Sequence, residues 1–298
     1  MIQPNQVYGI LGGVAALASA AVWALGSILF RKIGEEVTPF GMNLCKGIIG
    51  LFYLSVVIIL SGFQTVSTST FLLLGASGIL GITLGDTLFF KALIYLGPRL
   101  TVLLETMGSV FTVILAVVFL RERFSLVVWC GLFLTVTGVT WVLWDGSEIK
   151  KADKNWHNGI KYALLSALCM SLGIIFAKKV IESTSALQAN FIRFLGGTIG
   201  IITWGLITKN FRSSLQPFTN PRLLKFTLLT VFVVIFGGFW LFLVALKYVD
   251  ASIATILNST TPLFILPMAV VFLKEKISFQ AVIGAIIAVC GVILIFLK

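Results

Sequence analysis

The chain alternates long, unbroken apolar runs with short polar joints. A helix needs about 20 apolar residues to cross a ~30 Å hydrocarbon layer. By that measure ten spans are predicted: Ile10–Phe30, Phe40–Leu60, Thr70–Leu96, Leu100–Leu120, Leu126–Trp144, Ile160–Ala177, Leu187–Ile207, Leu223–Tyr248, Ala251–Leu273 and Phe279–Leu297. The runs are continuous and do not alternate in period two, so helices are expected and strands are not. The third and eighth runs are long, yet at 1.5 Å per residue each makes one tilted span of about 40 Å. The sizeable polar linkers are Asp145–Asn158 and Thr208–Pro221.

The pattern is written twice. Phe119-Leu-Arg-Glu-Arg-Phe-Ser125 returns as Phe272-Leu-Lys-Glu-Lys-Ile-Ser278, 153 residues later. At the same spacing Ala92-Leu93 meets Ala245-Leu246, Tyr95 meets Tyr248, Gly131 meets Gly284 and Gly138 meets Gly291. Earlier in each half the spacing is 147: Ser19-Ala20 with Ser166-Ala167, Lys32 with Lys179, Asn43 with Asn190, Lys46 with Arg193. The change in spacing falls in the joint near Asn210–Asn220. Internal repeats of this kind decide the architecture before any single motif does. Residues 9–145 form one unit and 159–298 the other, joined by a linker at 146–158. Five helices per unit is an odd number, so the second unit enters the membrane from the opposite side. The fold class expected is an all-α membrane protein: ten transmembrane helices as two inverted five-helix repeats around a central cavity, the build of many secondary transporters.

Composition removes the soluble alternatives. Hydrophobic residues make up 58% and charged residues 11%, with mean hydropathy +1.07, against roughly 25% charged in ordinary soluble domains. A net charge of +11 would suggest nucleic acid in a soluble protein. Here the cations sit in joints between apolar runs, where they act as topology signals beside anionic lipid. One side of the predicted membrane holds Arg121, Arg123, Lys178, Lys179, Lys247 and Lys298. The other holds Arg31, Lys32, Arg99, Lys150, Lys151, Lys154, Lys161, Lys209, Arg212, Arg222, Lys225, Lys274 and Lys276. The second, richer set is placed in the cytoplasm with the 146–158 linker, leaving both termini outside. The first run has no Lys or Arg before it and full membrane length, so it reads as a span and not a cleaved signal peptide. Cys45, Cys130, Cys169 and Cys290 stand singly inside apolar runs and imply neither disulfide nor metal site. His157, the sole histidine, sits in a polar linker and is given no role; no cofactor is implied.

Four charges lie where a bilayer should exclude them: Lys46, Asp86, Glu105 and Arg193. Each costs about 2.5–3.5 kcal/mol at mid-membrane on insertion scales. Lys46, Asp86 and Glu105 share one level of the predicted bilayer, while Lys91 lies a turn further out, where its ammonium can snorkel. The second unit has Phe239 for Asp86 and Asn258 for Glu105, and keeps a cation, Arg193, for Lys46. Two readings compete. A buried pair of Lys46 with Asp86 or Glu105 simply fastens helices. Alternatively, one carboxylate binds a proton or a cationic substrate group, while Lys46 or Arg193 meets a substrate carboxylate. Intramembrane ionisable groups usually line a pathway, which favours the second.

Asn258, Thr261-Pro262 and Pro267 fall in the ninth span, where a proline removes a donor and should kink the helix and free carbonyls toward a cavity; the plainer role is a bend that fits neighbours. Trp23 and Trp240 sit near mid-span and either line a pocket for an apolar solute or simply pack, whereas Trp144 suits the interfacial belt. Gly75, Gly78, Gly81 and Gly85, Gly196 with Gly200, and the heptad-spaced Gly131/Gly138 and Gly284/Gly291 read as close-approach seams between helices.

Taken together, Ala245-Leu-Lys-Tyr-Val-Asp-Ala-Ser252, Thr261-Pro262-Leu-Phe264 and Phe272-Leu-Lys-Glu-Lys276 followed by Gly284 and Gly291 resemble the ten-helix branch of the drug/metabolite transporter superfamily, which carries two EamA domains. The resemblance covers Gly9 to Leu297. It implies a basket of helices around a cavity between the two copies, in a bacterial inner-membrane carrier that often exports amino acids or other small metabolites. Lys46 and Arg193 match a basic residue common in the second helix of each copy. Ser109 departs from the pattern, which has a proline there, so a matching kink in the fourth helix is left open. Asp86 and Glu105 belong to no family motif. Relatives in eukaryotes keep both termini in the cytosol, against the charge count given above.

The function expected is alternating-access transport of a small molecule, an amino acid or similar, with a proton as candidate coupling ion and Asp86 or Glu105 as its carrier. The partners are then the solute and the lipid bilayer, with no nucleic acid. An intramembrane aspartyl enzyme would need a second mid-span aspartate, which the sequence lacks, and Thr83 stands where its motif needs glycine. A channel or receptor is the remaining alternative, but filters usually draw on symmetric charge or carbonyl rings from several subunits.

Overall fold

The structure is a computed structural model that describes residues 4–121, 124–143, 155–208, 218–274 and 277–296. Trp144, the cations Arg123, Lys150, Lys151, Lys154, Lys209, Arg212, Lys276 and Lys298, and most of both polar linkers lie outside them. Among the described residues there is no strand. The helices are α1 (Pro4–Ile33), α2 (Pro39–Ser61), α3 (Thr68–Gly78), α4 (Asp86–Glu105), α5 (Met107–Leu115), α6 (Leu126–Leu143), α7 (Trp156–Lys178), α8 (Ala186–Thr208), α9 (Pro221–Val233), α10 (Leu241–Tyr248), α11 (Ala251–Asn258), α12 (Thr261–Met268) and α13 (Phe279–Phe296). Widened π-helical turns join several of them: Ile79–Gly85 between α3 and α4, Val234–Trp240 between α9 and α10, and Ala116–Leu120 and Ala269–Leu273 after α5 and α12.

Among the described residues six stretches have the length and hydropathy to cross a bilayer: Tyr8–Ile33, Pro39–Ser61, Thr68–Glu105, Trp156–Lys178, Ala186–Thr208 and Pro221–Tyr248. The other apolar helices, Met107–Phe119, Leu126–Val142, Thr261–Leu273 and Phe279–Gly291, are shorter. Exposed Phe52, Ile59, Leu60, Phe133, Ile207 and Phe279 stud the outer surface, an arrangement that lipid favours and water does not. The chain is a multi-pass membrane protein.

Local chemistry sets the ends. Pro39 and Pro221 open α2 and α9, where a missing N–H costs nothing, behind Thr38 and Asn220, whose side chains accept from Gly41 N (3.2 Å) and from Arg222 N and Leu223 N (3.1 and 3.3 Å). Gly97, with φ 77°, breaks the helical path inside α4 immediately before Pro98. The first cation of the twice-written motif has the same backbone form in both copies. Arg121 and Lys274, 153 residues apart, both take left-handed φ (57° and 55°) to end the preceding π turn.

Side-chain bonds repeat with the sequence. Arg31 Nη1 donates to the Leu93 and Ile94 carbonyls (3.3 and 2.8 Å), and Lys178 Nζ to those of Leu246 and Val249 (both 3.0 Å). Cations counted as topology signals therefore also satisfy carbonyls left open at a helix end. Ser166 Oγ, in the second half, donates to the Gly85 carbonyl of the first (3.0 Å), and Ser19 Oγ, in the first, to Gly238 of the second (2.9 Å). These reciprocal bonds close the π turns and show that the halves interlock instead of standing side by side.

The glycine seams pack as backbone contacts. A Cβ at Gly78 would overlap the Arg193 carbonyl, and one at Gly196 would reach the Gly75 carbonyl oxygen. Helices α6 and α13 meet through Gly138 against Ala288 and Gly284, and through Gly291 against Thr135 and Gly131. Overpacking such a contact costs typically about 1–3 kcal/mol. Gly138→Val and Gly291→Val are therefore expected to lower the melting temperature of the detergent-purified protein by several degrees. Gly9→Ala, whose Cβ meets nothing within 4 Å, should leave it unchanged.

Candidate functional site

Helices from both halves line an open cavity of about 130 Å³. Much of its wall comes as repeat-equivalent pairs. Trp23 faces it with Met170, Phe89 with Phe242, Val102 with Thr255, Glu105 with Asn258, Thr106 with Ser259, and Gly108 with Thr261. A cavity lined this way lies where the two copies meet.

The broken helices deliver much of this lining. In the second half the helix stops at Asn258 and restarts at Thr261, so Pro262 occupies the opening turn of α12. The break precedes the proline, because a new helix does not need that N–H. Pro262 is buried, while Pro267 lies inside α12 with an exposed side chain. The first half breaks too, at Thr106, although it has Ser109 in place of the proline. Thr106 N bonds back to Leu103 O (3.1 Å) and Ser109 N to Thr106 O (3.0 Å), and both hydroxyls donate to the same carbonyls (2.7 and 2.6 Å). Hydroxyl back-bonding and tight i→i+3 bonds take over the proline's part, so the kink left open by the sequence is present.

The charges divide unequally. Lys46 on α2 is buried and forms an ion pair and hydrogen bond with Asp86, the first residue of α4. The rings of Phe239, Phe90 and Phe194 surround its ammonium at 5.1, 5.4 and 5.9 Å, within cation–π range. Lys46 thus stands behind the wall, while Asp86 lines the cavity. Lys91 lies over the Tyr162 ring at 5.2 Å. Arg193 on α8 lines the cavity at 5% exposure, and its Nε is buried without a hydrogen bond. Glu105 Oε1, Asn258 Oδ1 and Thr255 Oγ1 are likewise buried and unpartnered, on cavity-lining residues. Unsatisfied polar atoms are costly in a protein interior, and these four lie on residues around one cavity.

Trp23 lines the cavity, edge-on to Phe239 at 4.9 Å and Phe89 at 6.2 Å. Trp240 lies instead against the cluster that includes Ala15, Ala16 and Leu243, and its predecessor Phe239 faces the cavity. The widened turn Val234–Trp240 shifts the helical phase, which an unbroken 3.6-residue period does not anticipate. Gly81, read from sequence as seam alone, also lines the cavity, and a Cβ there would sit 3.3 Å from Arg193 Nη2. Residues that the sequence reading did not single out include Ser27, Phe89, Met170, Ser171 and Phe242. Ser171 apart, whose equivalent Ala24 is not in the wall, their signal was available only as positions equivalent to other wall residues. Among the described residues no group of His, Cys, Asp and Glu could hold a metal ion.

The ion pair gives a test of what Lys46 does. Removing one partner of a buried pair typically costs about 3–5 kcal/mol, whereas replacing both by apolar groups is often neutral. Lys46→Met and Asp86→Leu are each expected to lower the melting temperature sharply, and the double variant to recover most of the loss. A double variant as unstable as the sum of the singles would show that the two side chains act independently.

A family model described as the EamA-like transporter family matches residues 10–144 and again 157–297. An uncharacterized transporter of Archaeoglobus fulgidus is 25% identical over 95% of this chain and 96% of its own. The uncharacterized inner membrane transporter YhbE of Escherichia coli is 32% identical over 46% of this chain and 42% of its own. A solved crystal structure shares the fold with a TM-score of 0.72 at 16% identity, covering 96% of both chains. Twice-matched and aligned along nearly its whole length, the chain belongs to the EamA-like transporter family.

Proposed function

We propose that this protein is a secondary transporter of the bacterial inner membrane that exports a small metabolite, an amino acid or similar, by alternating access in exchange for a proton. Ten spans form two inverted five-helix repeats, 9–145 and 159–298, which rock about the cavity between them, with the 146–158 linker in the cytoplasm and both termini outside. The observation that carries this reading is the cavity itself: repeat-equivalent residues of both halves wall it, and Asp86, Glu105 and Arg193 reach it, the last two each with a buried polar atom that makes no hydrogen bond. Membrane carriers built from inverted repeats place their site at such an interface, flanked by discontinuous helices. Supporting it are the breaks at Thr106 and at Ser259–Thr260 beside the cavity, and the names of the relatives, transporters in each case quoted.

Of the two carboxylates, Asp86 is bonded to Lys46, and Glu105 has an oxygen with no hydrogen bond. Glu105 is therefore the better placed to take up and release a proton during the cycle. The protein reconstituted in liposomes should show saturable uptake and counterflow for a member of an amino-acid and metabolite panel, accelerated by a proton gradient. Glu105→Gln should keep counterflow and lose the response to the gradient. Uptake that rises linearly with concentration and shows no counterflow would make the protein a pore and end the carrier reading.

A further inference from the structure

The two halves supply equivalent cations but unequal acids, and this inequality points to a ligand. Lys46 and Arg193 are equivalent at the spacing of 147, and Asp86 and Phe239 at the spacing of 153. All four meet around the centre of the molecule. Asp86 pairs with Lys46, the Phe239 ring covers the same ammonium at 5.1 Å, and Asp86, Phe239 and Arg193 all line the cavity. The repeat thus offers two cations to two equivalent positions, of which one bears a carboxylate. Lys46 has it. Arg193 is left with an electrostatic interaction with that same Asp86 and a buried Nε that bonds to nothing. Glu105 does not close the gap, since its Oε1 is also without a hydrogen bond.

We propose that Arg193 is an anion subsite, and that a carboxylate carried by the ligand takes the place that a second aspartate would fill at position 239. The guanidinium presents a planar fork of donors suited to two carboxylate oxygens. Its near-complete burial makes the missing bond costly in the empty site and valuable in the filled one. Gly81 leaves the space that the fork occupies, because a Cβ there would come within 3.3 Å of Nη2. Phe239 keeps the subsite open by supplying an apolar face where its equivalent supplies an acid, and Trp23, Val102, Met170 and Phe242 give the adjoining wall an apolar surface for the rest of the ligand.

This inference rests on the cavity being a ligand site, but its test measures binding without transport, so failure of flux and failure of the subsite are separable. Thermal stabilisation of the purified protein in detergent is read with three probes of one shape: L-leucine, 4-methylpentanoate and 3-methylbutylamine. The two carboxylates should stabilise the parent protein and the amine should not. Losing a charge-assisted pair should weaken carboxylate binding by about tenfold or more in Arg193→Gln. Phe239→Asp should do the same by occupying Arg193 from within, while Phe239→Leu retains the response. If Phe239→Asp does not fold, the comparison of Arg193→Gln with Phe239→Leu decides the matter alone. The proposal is overturned if no carboxylate stabilises the parent, if the amine alone does, or if Arg193→Gln responds to the acids as the parent does.

Discussion

One lysine ammonium sealed among three phenyl rings sets the terms for the centre of this protein. Lys46 is buried among them, so its charge needs a partner within the chain, and Asp86 is that partner. The pair ties α2 to the first residue of α4, at the point where the π turn of Ile79–Gly85 returns to regular helix. Asn43, one turn earlier on α2, donates to the Ile82 carbonyl at 2.7 Å and to Thr87 Oγ1 at 2.8 Å. Thus α2 satisfies both the charge and the backbone of the irregular segment. Irregular backbone at membrane depth is tolerated only where protein groups complete its hydrogen bonds, and α2 and Ser166 do so here.

From that fixed point the asymmetry of the two halves becomes legible. The scaffold is duplicated in detail. Serines equivalent at 147 close glycine carbonyls equivalent at 153, and paired breaks bring Thr106 and Ser259 to one cavity. The chemistry is not duplicated, with Asp86 answered by Phe239 and Glu105 by Asn258. Of the acids present once, Asp86 is taken up by Lys46, while Glu105 keeps an oxygen without a hydrogen bond beside a cavity that both copies wall.

How much of this could be read without coordinates depends on the range of the interaction. The duplication, the helical class and the transporter resemblance are local or periodic properties and were plain. So was the suspicion that Lys46, Asp86, Glu105 and Arg193 belong together, because the bilayer makes each expensive. The sequence left open whether Lys46 would take Asp86 or Glu105, since both stand at a similar depth and only side-chain geometry separates them. It left the first-half kink open, because a serine can break a helix only where its hydroxyl finds the right carbonyl. It left open whether Trp23 and Trp240 line a pocket or pack, because depth in the span does not say which way a side chain faces; Trp23 lines the cavity and Trp240 packs.

The amino-acid order alone determined that the chain is helical, duplicated and built for lipid, since these follow from hydropathy and spacing summed over many residues. Tertiary structure alone decided which charge is spent and which is left. Lys46 and Arg193 are interchangeable in the pattern, yet one is neutralised within the protein and the other faces an open cavity. That distinction arises from contacts between segments 40 or more residues apart, such as Lys46 with Asp86, where the packing of helices, and not the order of residues within one, fixes which groups meet.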